Sequence, residues 1–204
     1  SLAESRDLET GNHIERIRES CRLLAGFLAA RGHYRDVIGA DFLENIYRAS
    51  PLHDIGKVAV PDRILLKPGA LDAGEFREMQ AHSEKGAATL EAVRSLYPES
   101  EFIGMAIGIA RHHHEKWDGS GYPSGLAGEE IPLAARIMAV VDVYDALRSE
   151  RCYKEAVSHP EALDIIRDET GTRFEPLIAG VFIEEADRFE QVFHRWRRRA
   201  AVPG

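Results

Sequence analysis

Apolar side chains near the start of the chain recur at the spacing of one helix face. Five of them are separated by three or four residues in turn: Ile14, Ile17, Cys21, Leu24 and Leu28. Because an α-helix completes a turn every 3.6 residues, this spacing predicts a helix with one buried side, and Gly32 just beyond it marks the end. His13 precedes Ile17 by one turn and therefore shares that side.

Two further segments carry histidines into apolar surroundings. Five positions with the same periodicity predict a second helix: Phe76, Met79, His82, Gly86 and Leu90. The stretch FIGMAIGIARHHH is apolar on nearly all sides and predicts a central buried helix. Its face leads directly into His113 and His114, so both predicted helices bring imidazoles toward the core.

The C-terminal half predicts more helices and no sheet. Pro132 can begin a helix reading LAARIMAVVDVYDALRSE, which is nearly all apolar except for Asp142 and Asp145. Pro160 and Pro176 each stand where another helix could begin. No segment alternates between apolar and polar residues as a half-buried strand does. We therefore predict an all-α domain.

Composition narrows the class of protein. Of 204 residues, 44% are hydrophobic, which is enough for one globular domain with its own core. The formal net charge of −8 disfavours binding to DNA or RNA. Cys21 and Cys152 provide neither a disulfide framework nor a CxxC pair for zinc. No stretch approaches the roughly 18 apolar residues of a membrane span, so we expect a cytoplasmic protein, and the start at Ser1 predicts a fragment of a longer chain.

Eight acidic and imidazole side chains fall where burial is expected. Taken singly, a histidine on an apolar helix face is usually a hydrogen-bonded core residue. Burying all eight separately would be costly, because each needs its own partner and an unpaired carboxylate is strongly destabilising. Shared cations would satisfy them together. The set is Glu9, His13, His53, Asp54, His82, His113, His114 and Asp142.

Charge and ligand type indicate which cations suit this set. Three carboxylates contribute three negative charges, so two divalent ions would leave about +1 and three about +3. Imidazole and carboxylate without thiolate suit iron, manganese, zinc, nickel or cobalt. Neighbouring residues on a helix point about 100° apart, so His53 and Asp54 can both serve only if the carboxylate bridges ions. Lys57 shares their predicted helical face, where it either snorkels to solvent or neutralises a phosphate oxygen and positions the attacking hydroxide.

The chain resembles the HD-GYP phosphodiesterases, a branch of the HD metal-dependent phosphohydrolases, in four separated motifs that occur in the same order. These motifs are ETGNH, HDIGK, HHEKWDGSGYP and DVYDALRSERCYK. The resemblance runs from Glu9 to about Phe182. It implies an HD-domain helical bundle with a multinuclear metal centre. We place this domain at residues 1–190 and a basic tail at residues 191–204, in which RWRRR, from Arg195 to Arg199, is predicted to be a solvated helix end.

The resemblance also implies roles for individual residues. Asp54 and Lys57 are the expected catalytic residues: Asp54 bridges the ions, and Lys57 stabilises charge on the phosphate. All eight acidic and imidazole residues above are expected metal ligands. Because Glu9 and His13 match the members that hold three ions, three ions are favoured over two. Iron or manganese is expected, with zinc, nickel or cobalt as alternatives.

Other positions are expected to lie beside the ligands or to contact substrate. His112 is expected either to lie in the core or to support the ligands, with direct metal binding as the lesser alternative. Asp145 is expected to support the ligands. Trp117 and Tyr122 either stack on guanine or only pack their loop onto the domain. The motif ERCYK has a cysteine where the family has proline, and GTRFEP departs from the family's GTHFDP, so Arg173 and Glu175 receive no role. The expected substrate contacts are Gly121, Tyr122, Pro123, Arg151 and Lys154.

The activity that the resemblance implies is hydrolysis of cyclic di-GMP to pGpG, and in some members on to GMP, by in-line attack of a metal-bridging hydroxide. Two alternatives stay open. The domain either senses cyclic di-GMP or contacts other proteins without catalysis, or it hydrolyses another cyclic dinucleotide. A diguanylate cyclase domain that contacts the GYP loop is the expected protein partner.

Overall fold

The computed structural model describes residues 11–149 and 156–200, with side chains described for residues 12–149 and 156–197. These residues form ten α-helices joined by loops and 3₁₀ turns, and they contain no β-strand beyond one isolated bridge between Thr170 and Phe174. The predicted all-α class is confirmed. The helices are α1 (Gly11–Ala30), α2 (Ala40–Ala49), α3 (Asp62–Leu65), α4 (Ala73–Gln80), α5 (His82–Arg94), α6 (Glu101–His112), α7 (Leu133–Arg148), α8 (His159–Asp168), α9 (Pro176–Glu184) and α10 (Ala186–Ala200).

α1 and α7 form the centre of the core. The apolar stripe predicted at the start of the chain is buried in α1, where Ile17, Cys21, Leu24 and Leu28 have no exposed surface. α1 packs against α2, α7, α9 and α10, and α7 packs against α1, α6, α8 and α9. A helix covered on several sides must be apolar all round, which explains the sequence of α7. Two carboxylates in such a helix, Asp142 and Asp145, therefore need partners.

The helix predicted from Phe76 to Leu90 is two helices. α4 ends at Gln80 and α5 begins at His82, with Ala81 between them. Asp72 starts α4 with a capping box, in which its side chain accepts hydrogen bonds from the N–H groups of Gly74 and Glu75. No residue of α4 is buried, and Phe76 is 49% exposed. The prediction of one helix was wrong because an exposed helix happened to continue the periodicity of the buried one.

Helix starts agree well with the proline positions. Pro132 immediately precedes α7, Pro160 is the second residue of α8, and Pro176 is the first residue of α9. Proline suits these positions because the first N–H groups of a helix have no partner within it. α8 is also capped by the Ser158 side chain, which accepts a hydrogen bond from the N–H of Glu161.

The C-terminal helix crosses the boundary predicted at residue 190. α10 runs without a break from Ala186 to Ala200, and Val192 and Phe193 are buried. Arg195 lies on its exposed side, where Nη1 donates to Glu19 Oε2 at 3.0 Å. The division into a domain and a tail stays a prediction. No helix in the described part of the chain is both long and apolar enough to cross a membrane.

Candidate metal centre

Five segments far apart in the sequence bring seven of the predicted ligands together. The first turn of α1 supplies His13, and α7 supplies Asp142 from the helix beside it. The remaining ligands come from helix ends, where side chains can converge without a helix axis in the way. His53 and Asp54 stand between two 3₁₀ turns, His82 begins α5, and His113 and His114 follow α6.

The described ligands form two groups. In the first, one ligand atom from each of Asp54, His82, His113 and His114 lies within 4.8 Å of the others. In the second, the same holds for His13, His53 and Asp142. The sequence predicted a single convergence of these residues but not its division into two groups.

Asp54 lies between the two groups and offers one oxygen to each. Its Oδ1 is 3.3 Å from His82 Nε2 and 3.8 Å from His113 Nε2. Its Oδ2 is 3.1 Å from His53 Nε2, and that same nitrogen is 3.9 Å from Asp142 Oδ1. A carboxylate in this position has the geometry of a bridging ligand.

Backbone carbonyls orient three of the imidazoles. The Nδ1–H of His53 donates to Ser50 O at 2.9 Å, that of His82 donates to Met79 O at 2.7 Å, and that of His113 donates to Ile109 O at 3.0 Å. With Nδ1 protonated, each neutral ring keeps the Nε2 lone pair toward the centre. This is the usual arrangement behind metal-bound histidine.

The local environment keeps His82, His113 and His114 neutral. Burial lowers the pKa of His113 to about 4, and it also lowers the pKa values of His82 and His114. Burial alone would raise the pKa of Asp54, but Lys57 and His53 outweigh this effect and hold that pKa well below its ordinary value. Neutral imidazole and ionised carboxylate are the forms that bind metal ions.

Distances and hydrogen bonding both fit divalent ions. Two ligand atoms that each lie about 2.1 Å from one ion are at most about 4.2 Å apart, and the contacts of Asp54 with His82 and His113 are within that limit. Within the described residues, the buried atoms His113 Nε2 and Asp54 Oδ1 have no hydrogen-bond partner. Buried polar atoms are rarely left in that state, so the donor set suits a bound cation.

Lys57 lies beside Asp54 through a 3₁₀ turn rather than the predicted α-helical face. The turn spans Ile55–Ala59, and the N–H of Lys57 donates to Asp54 O at 2.9 Å. Because a 3₁₀ turn repeats every three residues, it brings side chains i and i+3 together. The Lys57 Nζ is 2.9 Å from Asp54 Oδ2, which places its positive charge at the edge of the centre.

The loop that contains Gly119, Gly121 and Gly125, called here the glycine loop, covers one side of the first group. The Tyr122 ring stacks on His114 with 4.8 Å between centroids and 29° between planes. The N–H of Tyr122 donates to His114 O at 3.3 Å. A Cβ on Gly121 would lie 2.5 Å from Glu115 Cα, so only glycine permits this approach. The loop is thus packed directly onto the turn that carries His113 and His114, and Pro123 follows Tyr122 within it.

Two side chains support the centre in ways that the sequence did not reveal. The buried Glu115 carboxylate accepts the N–H of Ser124 at 2.7 Å and so joins the histidine turn to the loop. Arg16 Nε donates to Asp145 Oδ1 at 2.5 Å, and Asp145 Oδ2 accepts the Nδ1–H of His13 at 2.7 Å. A charged residue one turn after His13 was the only sequence signal for Arg16.

Burial alone would raise the pKa of Asp145, but hydrogen bonds from Arg16 and His13 outweigh it and lower that pKa to about 2. The expectation that Asp145 lies beside the ligands agrees with these contacts. His112 belongs to neither ligand group, and its Nδ1 is 3.6 Å from Glu115 Oε1.

Two positions that received no role lie beneath the glycine loop. Glu175 Oε2 accepts from Arg136 Nη1 at 2.7 Å. The carbonyl of Arg173 accepts the N–H of Trp117 at 3.1 Å. Three predicted site residues, Glu9, Arg151 and Lys154, lie outside the described residues.

Comparison with known families identifies the class. A family model described as HD domain matches residues 17–178. The chain therefore belongs to the HD domain family. His53 and Asp54 lie within the matched residues.

Individual relatives refine the comparison. A probable cyclic di-GMP phosphodiesterase of Vibrio cholerae serotype O1 is 47% identical over 206 residues, covering 100% of this chain and 47% of the relative. The 3′3′-cGAMP-specific phosphodiesterase 2 of the same organism is 41% identical, covering 100% of this chain and 35% of the relative. The chain thus spans less than half the length of these relatives. Their names agree with the predicted resemblance to the HD-GYP branch, which is confirmed.

A solved structure supports the fold. The crystal structure titled as cyclic GMP-AMP specific phosphodiesterases in V. cholerae aligns with a TM-score of 0.56 at 17% identity, covering 100% of this chain and 54% of that chain. At this level of identity the likeness concerns the fold alone.

Proposed function

We propose that this chain hydrolyses cyclic di-GMP to pGpG, with GMP as the alternative end product, in a reaction that depends on divalent metal ions. The observation that supports it is the buried convergence of imidazoles on both oxygens of Asp54. The names of the similar proteins supply the substrate class. Polar side chains that only filled the core would not need to form two ligand groups joined by one carboxylate.

The two described groups would hold two ions. Asp54, His82, His113 and His114 would hold one, and His13, His53 and Asp142 the other, with Asp54 shared. Glu9 would add a ligand for a third ion. We propose iron or manganese, with zinc, nickel or cobalt as alternatives, because the donors are nitrogen and oxygen without thiolate. Such ions, when bound, supply Lewis acidity that neutralises phosphate oxygens and lowers the pKa of water.

The chain's own residues would position the substrate and stabilise charge. The product pGpG keeps its 5′ phosphate, so the bond that breaks joins phosphorus to a ribose 3′ oxygen, and water attacks in line with it. Lys57, beside Asp54, would donate to a phosphate oxygen as negative charge develops there. Tyr122, stacked on His114, would limit the access of bulk water from the loop side.

Substrate recognition would use the loop and the segment after α7. We propose that Gly121, Tyr122 and Pro123 contact a guanine base of cyclic di-GMP. Arg151 and Lys154 would bind the phosphates of the same nucleotide. Positive charge is needed locally because the net charge of the chain is −8. A diguanylate cyclase domain is the proposed protein partner of the loop.

Product analysis tests this function. The protein is loaded anaerobically with Mn²⁺ or Fe²⁺ and incubated with cyclic di-GMP, and pGpG and GMP are separated by chromatography. His82→Ala and Asp54→Asn should each reduce turnover at least about 100-fold, because each removes a candidate metal ligand that no neighbouring side chain can replace. His194→Ala, at a half-exposed imidazole far along α10, is the matched control and should keep full turnover. Bound cyclic di-GMP without product from metal-loaded protein would instead support the sensing alternative.

The name of one relative suggests 3′3′-cGAMP as a second candidate substrate. One relative at 41% identity is named for 3′3′-cGAMP. If that specificity is shared, kcat/KM for 3′3′-cGAMP will exceed kcat/KM for cyclic di-GMP in the same preparation. Parallel assays with the two nucleotides separate the candidates.

A further inference from the structure

The four buried ligand histidines are not held in the same way. His53, His82 and His113 each donate Nδ1–H to a backbone carbonyl three or four residues earlier in their own segment. His13 instead donates to the side chain of Asp145, which is 132 residues away on α7. The orientation of His13 therefore depends on a tertiary contact, whereas the other three are set locally.

Arg16 holds Asp145 in place. Its Nε donates to Asp145 Oδ1 at 2.5 Å, and its Nη2 donates to Oδ2 at 2.8 Å, so the guanidinium grips both oxygens. The Nη2 atom also donates to Ser149 Oγ at 3.0 Å, and the guanidinium lies 4.9 Å from the Phe193 ring centroid. Only 9% of the Arg16 side chain and 5% of the Asp145 side chain are exposed. The pair is thus fixed by contacts with α7 and α10.

Among the described residues, Arg16 and Asp145 contact only the second ligand group, through His13. Asp145 contacts His13, whose ring centroid is 5.6 Å from that of His53, and it lies one turn after Asp142 on α7. With Nδ1–H bound to Asp145, the His13 ring presents Nε2 to the second group. A carboxylate behind a ligand histidine also raises the basicity of that ligand.

We propose that Arg16 and Asp145 are positioning residues that selectively set the cation affinity of the group formed by His13, His53 and Asp142. The group formed by Asp54, His82, His113 and His114 does not depend on them. This inference rests on the proposed metal centre but requires no catalytic turnover. It gives a role in metal binding to two residues that do not contact the ion themselves.

Metal content of Asp145→Asn tests the proposal. The amide keeps the size of the side chain but loses its charge and one acceptor. Protein equilibrated at a series of buffered free Mn²⁺ concentrations is analysed by inductively coupled plasma mass spectrometry. One ion should bind about 10- to 100-fold more weakly than in the unmodified chain, while the affinity for the other is unchanged.

Glu175→Gln is the matched control. Glu175 and Arg136 form another buried pair, 2.7 Å apart with side-chain exposures of 7% and 9%, and neither belongs to a ligand group. Both variants remove one charge from a buried ion pair, so both should lower Tm. Only Asp145→Asn should weaken metal binding. Equal metal loss in the two variants would show that general destabilisation is responsible and would overturn the proposal.

A double variant separates positioning from a general structural effect. His13→Ala removes the ligand through which Asp145 acts, so adding Asp145→Asn should cause no further loss of Mn²⁺ affinity. Further loss in the double variant would contradict the proposal. If Asp145→Asn does not fold, Arg16→Lys, which keeps the charge but not the two-point grip, should weaken the same ion, and unchanged affinity would overturn the proposal. If the unmodified chain binds no ion, the metal centre itself is wrong.

Discussion

A single methyl group added at Gly56 should disrupt the contact on which the metal centre is built. Gly56 is buried in the 3₁₀ turn after Asp54, and this turn packs against α5. A Cβ there would lie 1.9 Å from His82 O, 2.5 Å from Gly86 N and 2.9 Å from Gly86 Cα. All three atoms belong to the backbone, so no side chain can rotate away.

The size of the effect follows from these distances. To reach even 3.0 Å from His82 O, the shortest separation that Cβ atoms normally show, the turn and α5 must move apart by about 1.1 Å. Overpacking a well-packed core costs about 1–3 kcal/mol, and the upper end applies because only backbone can move. We expect Gly56→Ala to lower the free energy of unfolding by about 3 kcal/mol. For a chain of this length that corresponds to a Tm lower by about 6–12 °C.

Urea and thermal unfolding of metal-free protein measure this effect. Gly26→Ala is the matched control, because a Cβ on Gly26, within α1, would meet no heavy atom within 4 Å. There the same substitution should raise the free energy of unfolding by about 0.5–1 kcal/mol, the difference in helix propensity. The reasoning is refuted if Gly56→Ala unfolds within about 0.5 kcal/mol of the unmodified chain. It is also refuted if both variants shift in the same direction.

Three further predictions concern charge and metal. Lys57→Met should lower kcat about 100-fold with metal content unchanged, because Lys57 lies beside Asp54. Lys67→Met, which removes a lysine paired with Glu75, should leave kcat unchanged. Equal kcat in the two variants would contradict the role of Lys57. Because burial lowers the pKa of His113 from 6.5 to about 4, the unfolded chain binds a proton first as pH falls, so metal-free protein should lose about 2 kcal/mol of stability between pH 7 and pH 5. Urea titrations at the two pH values measure this, and higher stability at pH 5 would count against it. When the free Mn²⁺ concentration is 100 times the Kd for Mn²⁺, removing the ion should lower Tm by about 5–11 °C, measured by differential scanning calorimetry. An unchanged Tm would mean that the ion binds folded and unfolded chains alike.

Much of the helical framework could be predicted because the information is local. The α1 stripe and the prolines at the starts of α7, α8 and α9 depend on periodicity and on backbone geometry within a few residues. The break at Ala81 was missed because the exposed helix α4 carries Phe76 in phase with α5. Periodicity records which residues share a face but not whether that face is covered.

The residue types of the candidate metal ligands were also predicted from the sequence, because imidazoles and carboxylates in apolar segments need a common partner. Their arrangement was decided by the tertiary structure. Asp54 lies between two groups whose other members come from distant parts of the sequence. The contacts of Asp145 with His13 and Arg16 join segments more than 100 residues apart. Helix packing, not local spacing, decides which of these side chains meet, since the contacts form only when α1 and α7 lie side by side in the core.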